Sequence, residues 1–524
     1  MAGRAVAISP KPASAAPGIG VALAVGVLIL GALLAVALRA EPGGARLGVA
    51  DWAAVRFTVF QASLSALISL ALAIPVARAL ARRQFVGRTA LITVLGAPFI
   101  LPVIVAVLGL IAVFGRAGWI NIALGWVGVE PIRIYGLQGV VLAHVFFNLP
   151  LATRLILQGW QDIPAERFRL AASLGAGPRE IWVLLERPML ARLAPGVLAV
   201  VFAICLTSFA VALTLGGGPR ATTIELAIYQ AFRFDFDLSR AALLSVVQIG
   251  LTGAAALMAL AFARNDGFGA GLDRVVQRWD AASAGLRVID SAVIAAAALF
   301  LLLPLAAVVL SGLPGLATLP ASVFVAAGVS VAVAAVSTVV MLLLALPMAL
   351  SVALGHARLV EVSGLLGLAA SPLVIGTGLF IVIYPLADPF KLALPVTALV
   401  NAVTALPFAL RILIPAAREV VAQQGRLAVS LGLTGAAFIR LVLIARIRMQ
   451  IGFAAGLGAA LSMGDLGVIA LFADPERATL PLQVYRLMGA YRMDAAAGAA
   501  LLLLALSLTL FWACDRMGRA NAKS

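Results

Sequence analysis

Along the chain, apolar runs long enough to cross a bilayer alternate with short polar connections. A hydrocarbon core of about 30 Å asks for roughly 20 apolar residues per helix. Twelve runs meet that length, allowing interruptions by Pro and Gly: 18–38, 55–77, 91–114, 136–157, 194–216, 241–263, 288–311, 321–354, 362–387, 392–414, 450–473 and 496–514. The eighth is overlong and suits a tilted or partly interfacial helix. The pattern predicts an all-α polytopic membrane protein. Pro102, Pro150, Pro372 and Pro407 fall within these runs and are expected to kink them. Residues 1–17 form a short basic tail, with an Ala-rich flank that also suits a cleaved signal peptide.

Composition agrees with the pattern. The 524 residues are 63% hydrophobic and 11% charged, against about 45–50% and about 25% in soluble chains. Disordered and nucleic-acid-binding chains are excluded, because both need far more polar surface. The net charge of +16 then reads as Lys and Arg retained in cytoplasmic loops. Arg78, Arg82, Arg83 and Arg88 fill the second connection, Arg264, Arg274, Arg278 and Arg287 the sixth, and Arg516, Arg519 and Lys523 the end. All three fall on one side, so both termini are expected in the cytoplasm. Cys205 and Cys514 are far apart in apolar runs, and no Cys lies near His144 or His356. Neither a disulfide framework nor a metal site follows from them.

Two polar stretches interrupt the oily pattern: RLAASLGAGPREIWVLLERP from Arg169 and RLAVSLGLTGAAFIRLVLIA from Arg426. Gly175 and Gly432 are 257 positions apart, as are Pro150 and Pro407, Arg220 and Arg477, and Asp237 and Asp494. One offset at separated places, with six runs on either side, predicts two parallel repeats. The expected organisation is a first repeat over 18–263 with its polar loop at about 159–193, a cytoplasmic linker over 264–287, a second repeat over 288–514 with its loop at about 415–449, and a tail over 515–524.

The apolar runs carry almost no acids, Asp465 being the main exception, which argues against proton-relay transport. No G-x-x-x-x-G-K-[ST] phosphate loop occurs either. A translocator with neither engine needs one from a partner. The repeated loops suit that attachment: Leu170, Ala171, Leu174 and Gly175 offer a small, mildly apolar surface, with the glycine permitting a tight turn. Two copies of the loop imply two similar partner subunits. The alternative for either loop is an amphipathic helix lying on the bilayer.

The stretch from Arg169 through Gly175, with Leu185 and Pro188 following, resembles the EAA loop of ATP-binding-cassette importer permeases. Arg169 and Arg426 stand where that consensus has Glu, and Ala445 replaces the proline in the second loop. The strings YGLQGVVLAHVFFNLPLATRLIL at 135–157, LGGGPRATTIELAIYQAFRFD at 215–235 and GDLGVIALF at 464–472 are similar to the fused permeases of bacterial thiamine and thiamine pyrophosphate importers. Iron(III) importers have a similar fused permease and remain the alternative cargo class, with a self-sufficient secondary transporter as a second alternative.

The resemblance implies a bacterial inner-membrane permease working with two copies of an ATPase subunit and a periplasmic binding protein. ATP and Mg would sit on the ATPase, with no cofactor, metal or catalytic residue on this chain. The implied ATPase-coupling residues are Arg169, Ala171, Ala172, Gly175 and Pro188 in the first loop, and Arg426, Ala428 and Gly432 in the second. Asp465 is a candidate for meeting a cationic cargo, with Ser208 opposite it in the repeat; a helix-end contact is the alternative. Arg220, Asp237, Arg477 and Asp494 are candidates for binding-protein docking, or an ordinary solvated rim.

Overall fold

The computed structural model describes residues 12–40, 47–96, 100–262, 280, 282–356, 360, 362–364, 366–367, 370–472 and 478–520. Among them every regular element is helical. A bilayer enforces this, since no water is present to satisfy a backbone N–H or C=O outside a helix or a closed barrel.

The first half of the chain contains α1 (Ala16–Arg39), α2 (Val49–Arg82), α3 (Arg88–Val94), α4 (Val103–Phe114), α5 (Trp119–Trp126), α6 (Leu137–Gln161), α7 (Ala165–Ser173), α8 (Pro178–Ile181), α9 (Arg187–Leu206), α10 (Phe209–Leu215), α11 (Ile224–Arg233) and α12 (Leu238–Phe262). The second contains α13 (Ala284–Gly315), α14 (Ala321–Ala353), α15 (Pro372–Ile383), α16 (Ala393–Ser430), α17 (Ile444–Met463), α18 (Gly467–Phe472), α19 (Leu480–Gly489) and α20 (Met493–Ala520).

Eleven helical segments among the described residues are long and apolar enough to cross a membrane. The ninth apolar run, 362–387, instead holds the shorter apolar helix α15, and part of that run lies outside the described residues. Most of the 264–287 linker, with Arg264, Arg274 and Arg278, also lies outside them.

The prolines behave in two ways. Pro150 and Pro407 sit inside α6 and α16. Pro102 and Pro372 do not kink helices but begin them, Pro102 at the N-cap of α4 and Pro372 in the first turn of α15. A proline costs nothing there, because the first turn's N–H groups have no partner in the helix. Pro164 ends the connection after α6, so a separate α7 follows, whereas Val421 stands at the corresponding place and α16 runs on unbroken.

The helices pack as two compact units, each discontinuous in sequence. One comprises Val36–Val329 with Gly464–Ala505. In it α13 lies against α4, with Gly109 so close to the Pro304 carbonyl that a β-carbon would not fit. Phe300 of α13 meets Phe114 and Phe146 edge-on at 6.5 and 6.0 Å. The other unit comprises Met1–Ala35, Ser330–Met463 and Leu506–Ser524. There α1 packs on second-half helices: Gly378 touches the backbone of Ala32, Gly18 touches that of Pro347, and the Ser351 hydroxyl donates to the Ala15 carbonyl. Glycines also bring α17 and α20 together at Gly452 and Gly518. Small residues at crossings are expected in lipid, where packing replaces the hydrophobic drive. The opening helix of each half of the sequence is therefore packed on helices of the other half.

Candidate functional site

The two polar loops share one backbone geometry. α7 ends through Leu174, and Gly175 then takes a left-handed φ of +70°. The Gly175 N–H bonds to the Ala172 carbonyl and the Ala176 N–H to the Ala171 carbonyl, both at 3.0 Å. In the second loop Gly432 has φ +71°, its N–H bonds to Val429 at 3.0 Å, and the Leu433 N–H bonds to Ala428 at 2.8 Å. Each is a Schellman ending, in which the residue after the helix must be left-handed and glycine bears that conformation without a Cβ penalty. Nothing lies within 4 Å of where a Cβ would be at either glycine. Backbone conformation, not space, requires them.

Downstream the loops match again. The Arg187 N–H reaches back five residues to the Trp182 carbonyl, and the Ile444 N–H to that of Ile439, giving a π-turn at the foot of both fifth spans. Pro188 follows the first, but Ala445 follows the second, so the proline does not create the turn. Such single π-turns occur often at functional sites.

Exposed leucines lie just before the glycines and within the π-turns. Leu170 and Leu174 are 61% and 76% exposed, and their counterparts Leu427 and Leu431 are 60% and 65% exposed. Leu184 and Leu441, within the π-turns, are also exposed. Arg169, Ala172, Gly175, Pro188, Arg426 and Gly432 are exposed, Ala171 is half-buried, and Ala428 is buried. The second loop has an extra tie, since the Gly435 N–H donates to the Pro12 carbonyl of the N-terminal segment at 2.8 Å.

A second shared feature lies within the fifth spans. α9 stops at Leu206 and α10 restarts at Phe209, with Ser208 at its N-cap; α17 stops at Met463 and α18 restarts at Gly467. The Asp465 carboxylate accepts the Gly467 N–H at 3.2 Å, a helix-start contact. The two breaks meet, because a β-carbon on Gly467 would lie 3.7 Å from the Phe209 ring and 3.8 Å from Asp465 Oδ1. Ser208 and Asp465, placed opposite one another by the repeat, therefore flank a common point, and both are half-buried. Tyr229 of α11 meets Phe209 edge-on at 5.2 Å and Phe234 at 5.7 Å. Burial raises the Tyr229 hydroxyl pKa above its ordinary value, opposed by nearby Arg233 and Arg486. Tyr485 of α19 is raised by burial and further by Tyr229. Both are held as neutral hydroxyls.

Polar clasps fix the spans just before these breaks. Asn148 Nδ2 donates to Cys205 Sγ at 3.4 Å, and Gln61 Nε2 to the Cys205 carbonyl at 3.1 Å. In the second half Asn401 Nδ2 donates to Ser462 Oγ at 3.0 Å. His144 pairs with Ser65 at 3.3 Å, a packed polar contact inside the bundle.

Of the other sequence candidates, Arg220 is exposed in a short turn over Pro219–Ala221. Asp237 is exposed and caps α12 by accepting the Arg240 N–H at 2.9 Å. Asp494 is exposed in the first turn of α20, where a carboxylate complements the helix dipole. Arg477 lies outside the described residues. Among the described residues no group of three His, Cys, Asp or Glu side chains is placed to hold a metal. Sequence reasoning missed Glu186, a fully buried carboxylate that bonds Arg78 and Trp160 in the first loop. The available signal was its position, an acid in WVLLERP where the repeat carries Leu443.

Paired loops, paired breaks in the fifth spans and, among the described residues, eleven helices long and apolar enough to span define a multi-pass membrane permease built on an internal repeat. Several proteins are similar to it in sequence over nearly their whole length. It is 39% identical to the thiamine transport system permease protein ThiP of Brucella abortus (strain 2308), over 98% of this chain and 97% of that protein. It is 37% identical to the ThiP of Salmonella typhimurium, over 97% of each, and 38% identical to that of Escherichia coli K12, over 90% of each. No protein-family model matches the chain. The chain belongs to the family of thiamine transport system permease proteins.

Proposed function

We propose that this chain is the membrane-spanning subunit of an ATP-driven importer that carries thiamine, with its phosphate esters, from a periplasmic binding protein into the cytoplasm. The observation that carries this reading is the full-length similarity to thiamine transport permeases. The names of these relatives speak for thiamine over iron(III). The two matched loops support the energy source: each presents exposed leucines on a Schellman-capped helix, a surface an ATPase subunit can grip. Two copies of that subunit, one for each loop, bind and hydrolyse ATP with Mg, and this chain holds no cofactor and performs no chemistry. Residues 18–263 and 288–514 act as the two permease repeats. Both termini face the cytoplasm, a reading that the Arg-rich connections support.

The meeting of the two helix breaks supports a pathway role for Asp465 and Ser208. A carboxylate beside Phe209 and Tyr229 offers charge and ring faces to a cationic aromatic cargo. Arg220, Asp237, Arg477 and Asp494 are the proposed docking points for the binding protein.

The test is uptake of radiolabelled thiamine by a thiamine-requiring bacterial strain lacking its own permease and supplied with this chain, its cognate ATPase and its binding protein. Saturable uptake that needs all three and ignores excess iron is expected. No thiamine uptake by an assembled complex, with iron(III) uptake in its place, would reject the cargo.

A further inference from the structure

The first loop is fastened by a charge cluster that its repeat replaces with apolar side chains. Arg78 of α2 donates to Glu186 Oε2 through Nε at 2.8 Å, and its Nη2 lies 2.6 Å from the same oxygen. The Arg78 guanidinium also sits 4.7 Å from the ring centre of Trp182, the residue that opens the same π-turn. Trp160, at the end of α6, donates its indole N–H to Glu186 Oε1 at 3.2 Å. One carboxylate thus joins the loop to α2 and α6. Arg82 extends the cluster, 3.8 Å from Glu186 and 3.9 Å from Asp290 of α13. Arg83 closes on Asp290 at 2.7 and 2.8 Å.

The 257-residue spacing sets Leu443 opposite Glu186, Ala417 opposite Trp160 and Ile439 opposite Trp182. The matching strings LAIPVAR at 72–78 and LALPMAL at 344–350 set Leu350 opposite Arg78. Leu443, Ala417 and Leu350 are all buried. The corresponding positions therefore carry an ion cluster in one half and buried apolar side chains in the other. Stability does not require the ions, because well-packed apolar groups of similar volume serve as well as a buried ion pair. Geometry distinguishes the two. Charge-assisted hydrogen bonds fix distance and direction, whereas an apolar contact is non-directional.

We propose that Glu186 is a positioning residue of the transport cycle, locking the first coupling segment to α2 and, through Arg82 and Asp290, to α13, so that this loop drives the spans rigidly while the second loop slides. The proposal rests on the coupling reading of the loops. It makes the two halves unequal in force transmission although their glycine endings and π-turns match.

The experiment uses the chain assembled with its ATPase and binding protein in proteoliposomes, with radiolabelled thiamine uptake and ATP hydrolysis measured together. Glu186→Gln keeps the shape and removes the charge. The ATPase is expected to co-purify with this variant, while thiamine moved per ATP falls at least fivefold. Combining Glu186→Leu with Arg78→Leu installs the apolar pair of the second half, and this variant is expected to keep the wild-type melting temperature and stay uncoupled. Wild-type thiamine-to-ATP ratio in either variant overturns the proposal. So does loss of yield and melting temperature with an unchanged ratio in the complexes that survive, the signature of a purely structural role. Gly175→Asp reports on the underlying reading separately. If that variant holds its ATPase and transports normally, the loop is not the coupling element, whatever Glu186 does.

Discussion

At the scale of single residues, Gly175 and Gly432 carry the sharpest prediction, because their requirement is conformational. A left-handed φ costs an ordinary L-residue about 1–2 kcal/mol, while Asn bears it more easily than β-branched residues do. Open space around both glycines removes steric clash as a rival explanation. Gly175→Asn is expected to keep most ATPase co-purification and transport, and Gly175→Val to lose most of both, with the same order at Gly432. Equal losses for Asn and Val would show that side-chain bulk at the docking surface, not backbone conformation, sets the requirement. These glycines were legible in the sequence because a conformational need leaves one residue type at one place. Glu186 was not. A sequence shows that an acid stands in an oily string, but its partners Arg78 and Trp160 lie 108 and 26 positions away.

At the scale of elements, the second loop depends on a segment remote in sequence. The Pro12 carbonyl takes the Gly435 N–H, and the ring of Pro12 sits near Gly425 at the buried side of α16. Removing residues 2–14 is therefore expected to speed amide hydrogen exchange at Gly435 by roughly five- to tenfold, the equivalent of losing one hydrogen bond worth about 1 kcal/mol. Exchange at Gly175 should not change. Unaltered exchange at Gly435 would mean that the tail contact holds nothing. The long helices were legible outside 362–387, where the described residues hold only the shorter α15, since long apolar runs have one solution in lipid. Helix interruptions were less so. Pro102 and Pro372 were expected as kinks and instead start helices, because a run of oily residues does not show where the backbone begins its first turn. The breaks at Ser208 and Asp465 lack any proline signal.

For the whole molecule, the packing of α1 and α13 decides what can stand alone. α1 rests on Pro347, Ser351 and Gly378, and α13 on Pro304's contact with Gly109 and on the Asp290 ion pairs. Either half expressed by itself lacks a packing helix and exposes the groove it would fill. Residues 1–270 and 271–524 made as separate chains should each be degraded alone, and should restore thiamine uptake when made together. Recovery of either half as a stable, monodisperse protein would contradict this. Nothing in the sequence pointed to the exchange, because α1 is apolar on every side, as is α13 beyond Asp290, and such stretches name no preferred face.

The exchange also bears on how the protein is made. α1 ends at Arg39, and α14, which carries Pro347 and Ser351, begins at Ala321. With synthesis at about 5–20 residues per second, α1 waits on the order of tens of seconds in the bilayer before its neighbour exists. During that interval lipid is its only solvent, and α1 suits the wait: it contains no charged residue before Arg39. Insertion of the first helix and assembly of the bundle are separate events in time, so the nascent chain passes through a long-lived stage in which its first half is complete and still missing a wall.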